Sequence, residues 1–273
     1  MSTVERTKTR LEGLLATPLI DELAQEEPLE IRVQGSSVAV LMRTPGHDED
    51  LAAGFLCTEA IVESYGWVRR IQHCDVATEP DAVDNIIQVR LHDDITLETD
   101  SFRRNMYASS SCGICGKASL ESIRLRVEKI ENPLCLPPDA LYALPDTLED
   151  HQLAFRRSGG LHAAALYDAN GKFRVLREDV GRHNAVDKVI GAELREYGAV
   201  RSPILLVSGR ISFEVVQKAA LAGIALVAGI SAPTSLAVDL ASELNITLVG
   251  FLRERTLNVY AAPQRIGPVE TRG

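Results

Sequence analysis

The sequence predicts an α/β protein, and three observations carry that expectation. From residue 204 onward, short apolar runs alternate with helix-length segments: strands at 204–207, 226–230 and 247–252, helices at 212–221 and 235–244. Strands separated by helices form crossover units and a largely parallel sheet. The first third reads differently, as sequential strands with a single helix, so a smaller α+β unit precedes the larger α/β one. Finally, 273 residues with 45% apolar and 25% charged content are enough for a well-buried core.

Taken in order, residues 1–27 are polar and read as a flexible tail. Alternating Leu29-Glu-Ile-Arg-Val33, the turn Gly35-Ser-Ser37 and Val38-Ala-Val-Leu-Met42 predict a hairpin. Thr44-Pro-Gly46 breaks the second strand, and the acids of His47-Asp-Glu-Asp50 suit the start of a helix over 48–64. Two further strands follow at 67–76 and 85–91, then helical spacing over 118–129 and a helix from about 139 to 155. Strands at 160–167 and 172–177 flank the turn Asp168-Ala-Asn-Gly171, and a helix covers 180–197. The resulting division is a tail (1–27), a smaller α+β domain (28–107), a mobile loop (108–117) and a larger α/β domain (118–273).

Charge and composition exclude several functions. A net charge of −9 is the opposite of the basic excess of a general nucleic-acid binder. Residues 1–27 hold no apolar run of signal-peptide length, and no stretch approaches a membrane span. Five cysteines, an odd and scattered set, fit a reducing cytoplasm better than a secreted disulfide framework.

The most informative stretch is Ala108-Ser-Ser-Ser-Cys-Gly-Ile-Cys-Gly-Lys117. Cys112 and Cys115, bracketed by small residues, present sulfur where another molecule can reach it. Lys117, Arg103 and Arg104 supply positive charge that favours a thiolate. Structural zinc needs two more ligands, and Cys57, Cys74 and Cys135 form no second close pair. A dithiol redox centre and a sulfur carrier both need an exposed nucleophilic thiol, and residue chemistry does not separate them. Nucleoside deamination is disfavoured, because Ala164 stands where the general acid/base of the His-x-Glu signature belongs and Ser111 replaces its proline.

Three loops collect at the expected carboxyl edge of the sheet: Ser208-Gly-Arg-Ile-Ser212, Ser231-Ala-Pro-Thr-Ser235 and Arg253-Glu-Arg255. Together they suggest an anion pocket for a phosphate-bearing ligand. Taken singly, Ser208, Ser212 and Thr234 read better as helix caps, and it is the succession of three such loops that points to the ligand. Asp179, Arg182, His183 and Asn184 gather at a helix start, either lining that site or bracing the helix; His162 and Glu214 carry the same two readings.

The chain closely resembles the FdhD family of formate dehydrogenase accessory sulfurtransferases. The resemblance runs through Met42-Arg-Thr-Pro-Gly46, Ser110-Ser-Cys-Gly-Ile-Cys-Gly116, Gly159-Gly-Leu-His-Ala-Ala164, Glu178-Asp-Val-Gly-Arg-His-Asn-Ala-Val-Asp-Lys188, Ser208-Gly-Arg-Ile-Ser-Phe-Glu214 and Ser231-Ala-Pro-Thr-Ser-Leu-Ala237. It implies a larger domain resembling the cytidine deaminase fold, with a mixed sheet flanked by helices. It also implies a homodimer and a cysteine persulfide intermediate. Sulfur would come from a cysteine desulfurase to Cys112, with Cys115 as the second motif cysteine. It would pass to the molybdenum cofactor, bis(molybdopterin guanine dinucleotide), needed by formate dehydrogenase.

By the same resemblance, cofactor binding falls on Phe251, Leu252, Arg253, Glu254, Arg255 and Thr256, with no metal held by the protein itself. Family members more often carry Arg-Gly-Gly-Arg there, so the second arginine is displaced and both glycines are gone. Cys57, where an aliphatic residue is usual, reads as a small core hydrophobe. Two rivals are a non-catalytic cofactor-binding chaperone for formate dehydrogenase and a zinc-stabilised interaction protein.

Overall fold

In the computed structural model the described residues are 2–74, 84–95 and 127–268. They form a mixed α/β structure with three sheets. The layers run in order: a four-stranded sheet, helix α1, helices α5 to α7, a six-stranded sheet, and helices α2 and α3.

The four-stranded sheet has the order β4-β3-β6-β5, built from β3 (Glu27–Val33), β4 (Ser36–Arg43), β5 (Val68–His73) and β6 (Ile86–Leu91). Alternate residues Leu29, Ile31 and Val33 of β3 are buried, as a half-buried strand requires. Gln34 and Gly35 both adopt positive φ, the two-residue turn that matches strand twist. The sheet buries its inner face on Leu51, Ala52, Phe55 and Leu56 of α1 (Asp48–Thr58). Helix α1 stops six residues short of the expected end. Ala60 turns left-handed, and the amides of Ile61 and Val62 both fold back to the Leu56 carbonyl.

The segment after Pro137 is three short helices rather than one: α2 (Pro138–Tyr142), α3 (Leu144–His151) and α4 (Leu153–Ser158). Pro145 restarts the helix at its first turn, where its missing N–H costs nothing.

The six-stranded sheet has the order β12-β11-β10-β9-β7-β8. Its strands are β7 (His162–Tyr167), β8 (Phe173–Asp179), β9 (Ile204–Val207), β10 (Leu226–Gly229), β11 (Thr247–Arg253) and β12 (Thr256–Ala261). Only β9, β10 and β11 run parallel, so the sheet is mixed rather than largely parallel. Helices α5 (Arg182–Tyr197), α6 (Phe213–Leu221) and α7 (Ser235–Glu243) cover the face carrying Ala164, Leu166, Leu205, Val207, Val227 and Leu248. Their neighbours Ala163, Ala165, Tyr167, Leu206 and Val249 face α2 and α3. Both faces are covered, which is why these strands read as continuous apolar runs.

Residues expected as a tail are ordered. Strands β1 (Thr3–Glu12) and β2 (Leu15–Ala24) pair antiparallel through Gly13 as a separate hairpin. Most of their side chains are exposed and only Thr3 is buried, so no buried face imposes alternation and the sequence shows none. A Lys8–Asp21 ion pair at 2.8 Å holds the register. Arg157 of α4 meets Glu22 at 2.6 Å at the hairpin's base.

Candidate functional site

Topology gathers the polar loops at one edge. Strands β9 and β10 end there at Val207 and Gly229, and antiparallel β7 begins there at His162, which pairs with Asp179 at the end of β8. The loops bond to each other: Ile211 N to Ala232 O (3.1 Å), Thr234 N to Ile211 O (2.9 Å) and Phe251 N to Ser231 O (3.1 Å). The edge is a connected surface built from His162, Arg182, His183 and the 208–214 and 231–235 segments.

The three hydroxyls have three different jobs. Thr234 accepts from Ala237 N at 3.4 Å and caps α7. Ser208 accepts from Ala163 N at 2.9 Å while its own amide donates to Ala163 O, closing the β7–β9 edge. Ser212 stands at the N-cap of α6 but makes no side-chain capping bond; its Oγ lies 3.1 Å from Nε2 of His183. Glu214 approaches the same nitrogen at 3.8 Å. Burial, helped by the charges of Arg182 and Lys218, pushes His183 down to about 4. At neutral pH it is therefore an uncharged imidazole beside a hydroxyl. Burial also lowers His162, again with help from Arg182 and Arg210.

Beneath this edge lie two buried charge networks that sequence reasoning did not identify. In one, Lys218 Nζ meets Asp187 Oδ2 (3.0 Å), Glu59 Oε1 (2.6 Å) and Thr58 Oγ1 (3.0 Å), and Thr58 donates to Asp187 Oδ1 (2.6 Å). Burial pushes Asp187 up to about 6 against the pull of Lys218, while Asp187 and Glu59 raise Lys218 despite its own burial. In the other, Lys188 Nζ contacts Asp179 Oδ2 at 2.7 Å, both side chains being essentially inaccessible. Asp179 also accepts from the amides of Thr44 and Gly181 and from Asn184 Nδ2, and Lys188 and Asn184 donate to the Thr44 and Met42 carbonyls.

Asp179 is fully buried, and its bonds together with those of half-buried Asn184 tie the end of β4 to the start of α5. A lysine at an apolar helix position, such as Lys218 three residues after Val215, was the available signal. Asp179→Ala leaves Lys188 buried without its carboxylate. It is expected to cost about 3–5 kcal/mol, read as a lowered midpoint in urea denaturation.

The segment Phe251–Thr256 is the tip of the β11–β12 hairpin. Arg253 pairs with Thr256 around a two-residue turn, and a bulge between Gly250 and Arg253 puts Phe251 at φ 54°. Gly250 to Arg253 run past the paired end of β10, so the tip projects beyond the edge just described. Arg255 is exposed, pairing with Asp139 at 2.7 Å and lying over the Tyr142 ring. Glu254 sits at φ 51°, a left-handed conformation that glycine adopts without strain. Glu254→Gly is therefore expected to be neutral or to stabilise by up to about 1 kcal/mol, seen as an unchanged or raised Tm.

Cys112 and Cys115 lie outside the described residues, as does most of the expected helix at 118–129. Among the other thiols, burial and Asp187 push Cys57 up to about 12, and Cys74 is buried at 3.3 Å from Gln88 Nε2. Cys135 is exposed. Among the described residues no three His, Cys, Asp or Glu side chains gather as a metal site, and no helix is long and apolar enough to cross a membrane.

A family model described as the FdhD/NarQ family matches residues 24–267. The sulfur carrier protein FdhD of Streptomyces avermitilis is 49% identical over 251 residues, covering 90% of this chain and 89% of the relative. The sulfur carrier protein FdhD of Mycolicibacterium paratuberculosis is 47% identical over 269 residues, 97% of this chain and 99% of its own. The crystal structure of a protein described as a formate dehydrogenase accessory protein from Desulfotalea psychrophila superposes with a TM-score of 0.78 at 24% identity. That match covers 97% of this chain and 100% of the other, and it establishes a shared fold.

Proposed function

The chain belongs to the FdhD/NarQ family, and on that premise we propose that it is a sulfurtransferase working through a persulfide on Cys112. The observation that carries the reading is full-length similarity to proteins named sulfur carriers, joined to a Cys-x-x-Cys pair in a serine- and glycine-rich segment. The donor is a cysteine desulfurase. The Cys112 thiolate attacks the outer sulfur of the donor persulfide, the S–S bond breaks, and the donor cysteine leaves as a thiolate. Sulfur moves with no net oxidation.

Delivery follows the same exchange chemistry. Attack of Cys115 on the inner sulfur of the Cys112 persulfide expels the outer sulfur as hydrosulfide and leaves a Cys112–Cys115 disulfide, which an external thiol reduces. The acceptor is the molybdenum cofactor carrying guanine dinucleotides, bound with help from the 251–256 hairpin and destined for formate dehydrogenase. A cytoplasmic location supplies the reducing poise this cycle needs. A homodimer and a deaminase-like larger domain belong to the same reading.

The neutral His183 and the polar sheet edge support it by offering hydrogen-bond donors where an anionic acceptor docks. The test is intact-mass measurement after incubation with a cysteine desulfurase and cysteine. A gain of one sulfur that reductant removes is expected; a wild-type chain that never gains it overturns the proposal.

A further inference from the structure

Where α1, α5 and α6 meet, two carboxylates share one ammonium. Lys218 lies 3.0 Å from Asp187 and 2.6 Å from Glu59, and the Lys218 and Asp187 side chains are only 4% and 2% exposed. Facing Asp187 are Cys57, Thr58 and Glu59 from α1 and Lys218 from α6. With both carboxylates ionised, this tier holds one negative charge more than Lys218 offsets. A buried charge without its counter-charge is costly, and a titratable group in that position neutralises instead. Glu59, at 30% exposed, is the member that reaches solvent.

The tier lies directly under the sheet edge. His183 precedes Asp187 by one helical turn on α5, and Glu214 precedes Lys218 by one turn on α6. Two levels therefore stack between these helices: His183, Ser212 and Glu214 above, with Arg182 beside them, and Asp187, Lys218, Thr58 and Glu59 below. Charge in one level is felt in the other. Burial, then Arg182 and Lys218, hold His183 uncharged, while Glu214 and Glu59 pull the opposite way.

We propose that Asp187 is a proton-binding site: on acidification the buried tier takes up one proton at the Asp187 carboxyl, and His183 above it stays uncharged. The proton comes from solvent, where Glu59 opens the tier. It leaves Lys218 and Glu59 as a neutral pair beside a neutral acid, so no buried charge lacks its counterpart. The titration order agrees. Burial pushes Asp187 up to about 6 against Lys218, with Glu59 adding to the push, whereas His183 is pushed down to about 4. Neutralising Asp187 also removes a negative charge one turn from His183, which disfavours the imidazolium further. Asp187 is accordingly a positioning residue that acts through His183. That His183 faces a sulfur acceptor rests on the function proposed above; the proton site does not.

The experiment is an NMR pH titration of the isotope-labelled full chain, reading the carboxyl carbon of Asp187 and the ring nitrogens of His183. Asp187→Asn and His183→Gln assign the two signals, and Glu59→Gln is the test variant. In wild type the Asp187 carbon is expected to titrate near pH 6, with a small matching step in the still-neutral His183 ring. Glu59→Gln, at a partly exposed position that threatens no packing, should lower the Asp187 midpoint by roughly one unit and carry the His183 step with it. Asp187→Asn should abolish that step; a role confined to packing would move neither signal. Stability gives a second readout. The folded carboxyl keeps its proton above the ordinary 3.8, so this group's contribution falls as pH rises from about 4 to about 6, and Asp187→Asn removes that slope from urea denaturation. An Asp187 carbon that titrates at or below its ordinary value overturns the proposal, as does a Glu59→Gln midpoint equal to wild type or a His183 ring that charges before Asp187. A chain that gives the expected titrations yet never loads sulfur supports the proton site and removes the sulfur-carrier reading instead.

Discussion

Gly191→Ala is expected to be among the most destabilising single-methyl additions available in this chain, costing more than about 4 kcal/mol. In an ordinary helix interior the same change stabilises by roughly 1 kcal/mol. The sign reverses because α5 crosses α1 backbone to backbone. A Cβ on Gly191 would stand 1.8 Å from the carbonyl oxygen of Asp50, and one on Gly54 would stand 1.9 Å from that of Asp187. Each glycine follows by one turn the aspartate that the opposite glycine touches, so the crossing is nearly reciprocal. No side chain can swing aside, since the obstructing atoms are backbone.

Relief requires the helices to separate, which unpacks the layer between the two large sheets and strains the Lys218–Asp187–Thr58 network crossing it. The readout is thermal unfolding, with Tm lowered by about 8 °C or more, or loss of soluble protein. Gly160→Ala is the control. Its nearest neighbour is Ala24 Cβ at an ordinary 3.4 Å, and a change within about 0.5 kcal/mol is expected. A Gly191→Ala chain as stable as wild type would mean that the helices do not cross at this distance.

That crossing also shows what the sequence conveyed and what it withheld. Elements that bury one face announced themselves: β3, β6, β7, β9 and α5 fall within about two residues of the expected bounds. Elements without a buried face did not. The β1–β2 hairpin leaves its apolar residues Leu11, Leu15, Ile20 and Leu23 exposed, and β12 follows a turn whose left-handed position is filled by Glu254 rather than glycine, so the usual turn signal was missing. The parallel-sheet expectation failed at its margins because antiparallel strands carry no distinguishing periodicity once both faces are covered. Close approach at Gly54 and Gly191 is likewise a property of two helices together.

The site was legible by composition but not by role. Loops 208–214 and 231–235 do meet at the carboxyl edge, as alternating strands and helices implied. Which members face outward was not readable: Asp179 and Asn184 have the residue types of ligand contacts, yet brace the end of β4. Type alone cannot distinguish a carboxylate satisfied by a buried lysine from one offered to solvent. Only the positions in space of Lys188, on the following helix, and of Thr44, far away in sequence, do so.

Cys112→Ala is expected to abolish sulfur loading and to reduce activation of a formate dehydrogenase to background, whereas Cys135→Ser retains both. The argument is one of thiolate supply. Sulfur transfer begins with a thiolate that can reach the donor persulfide. Cys57 fails because burial and Asp187 hold its proton on up to about 12, and Cys74 fails because its sulfur is enclosed against Gln88. Cys135 is exposed, but it has no second cysteine beside it to expel a bound sulfur. Cys115→Ala separates the two halves of the cycle: loading persists, while hydrosulfide release without added reductant falls away. Intact mass with and without reductant reads the first half, and sulfide capture reads the second. A Cys112→Ala chain that still gains a reducible sulfur would move the carrier to another thiol. One that gains none yet fully activates the dehydrogenase would make the chain a cofactor-binding chaperone, because binding would then suffice without transfer.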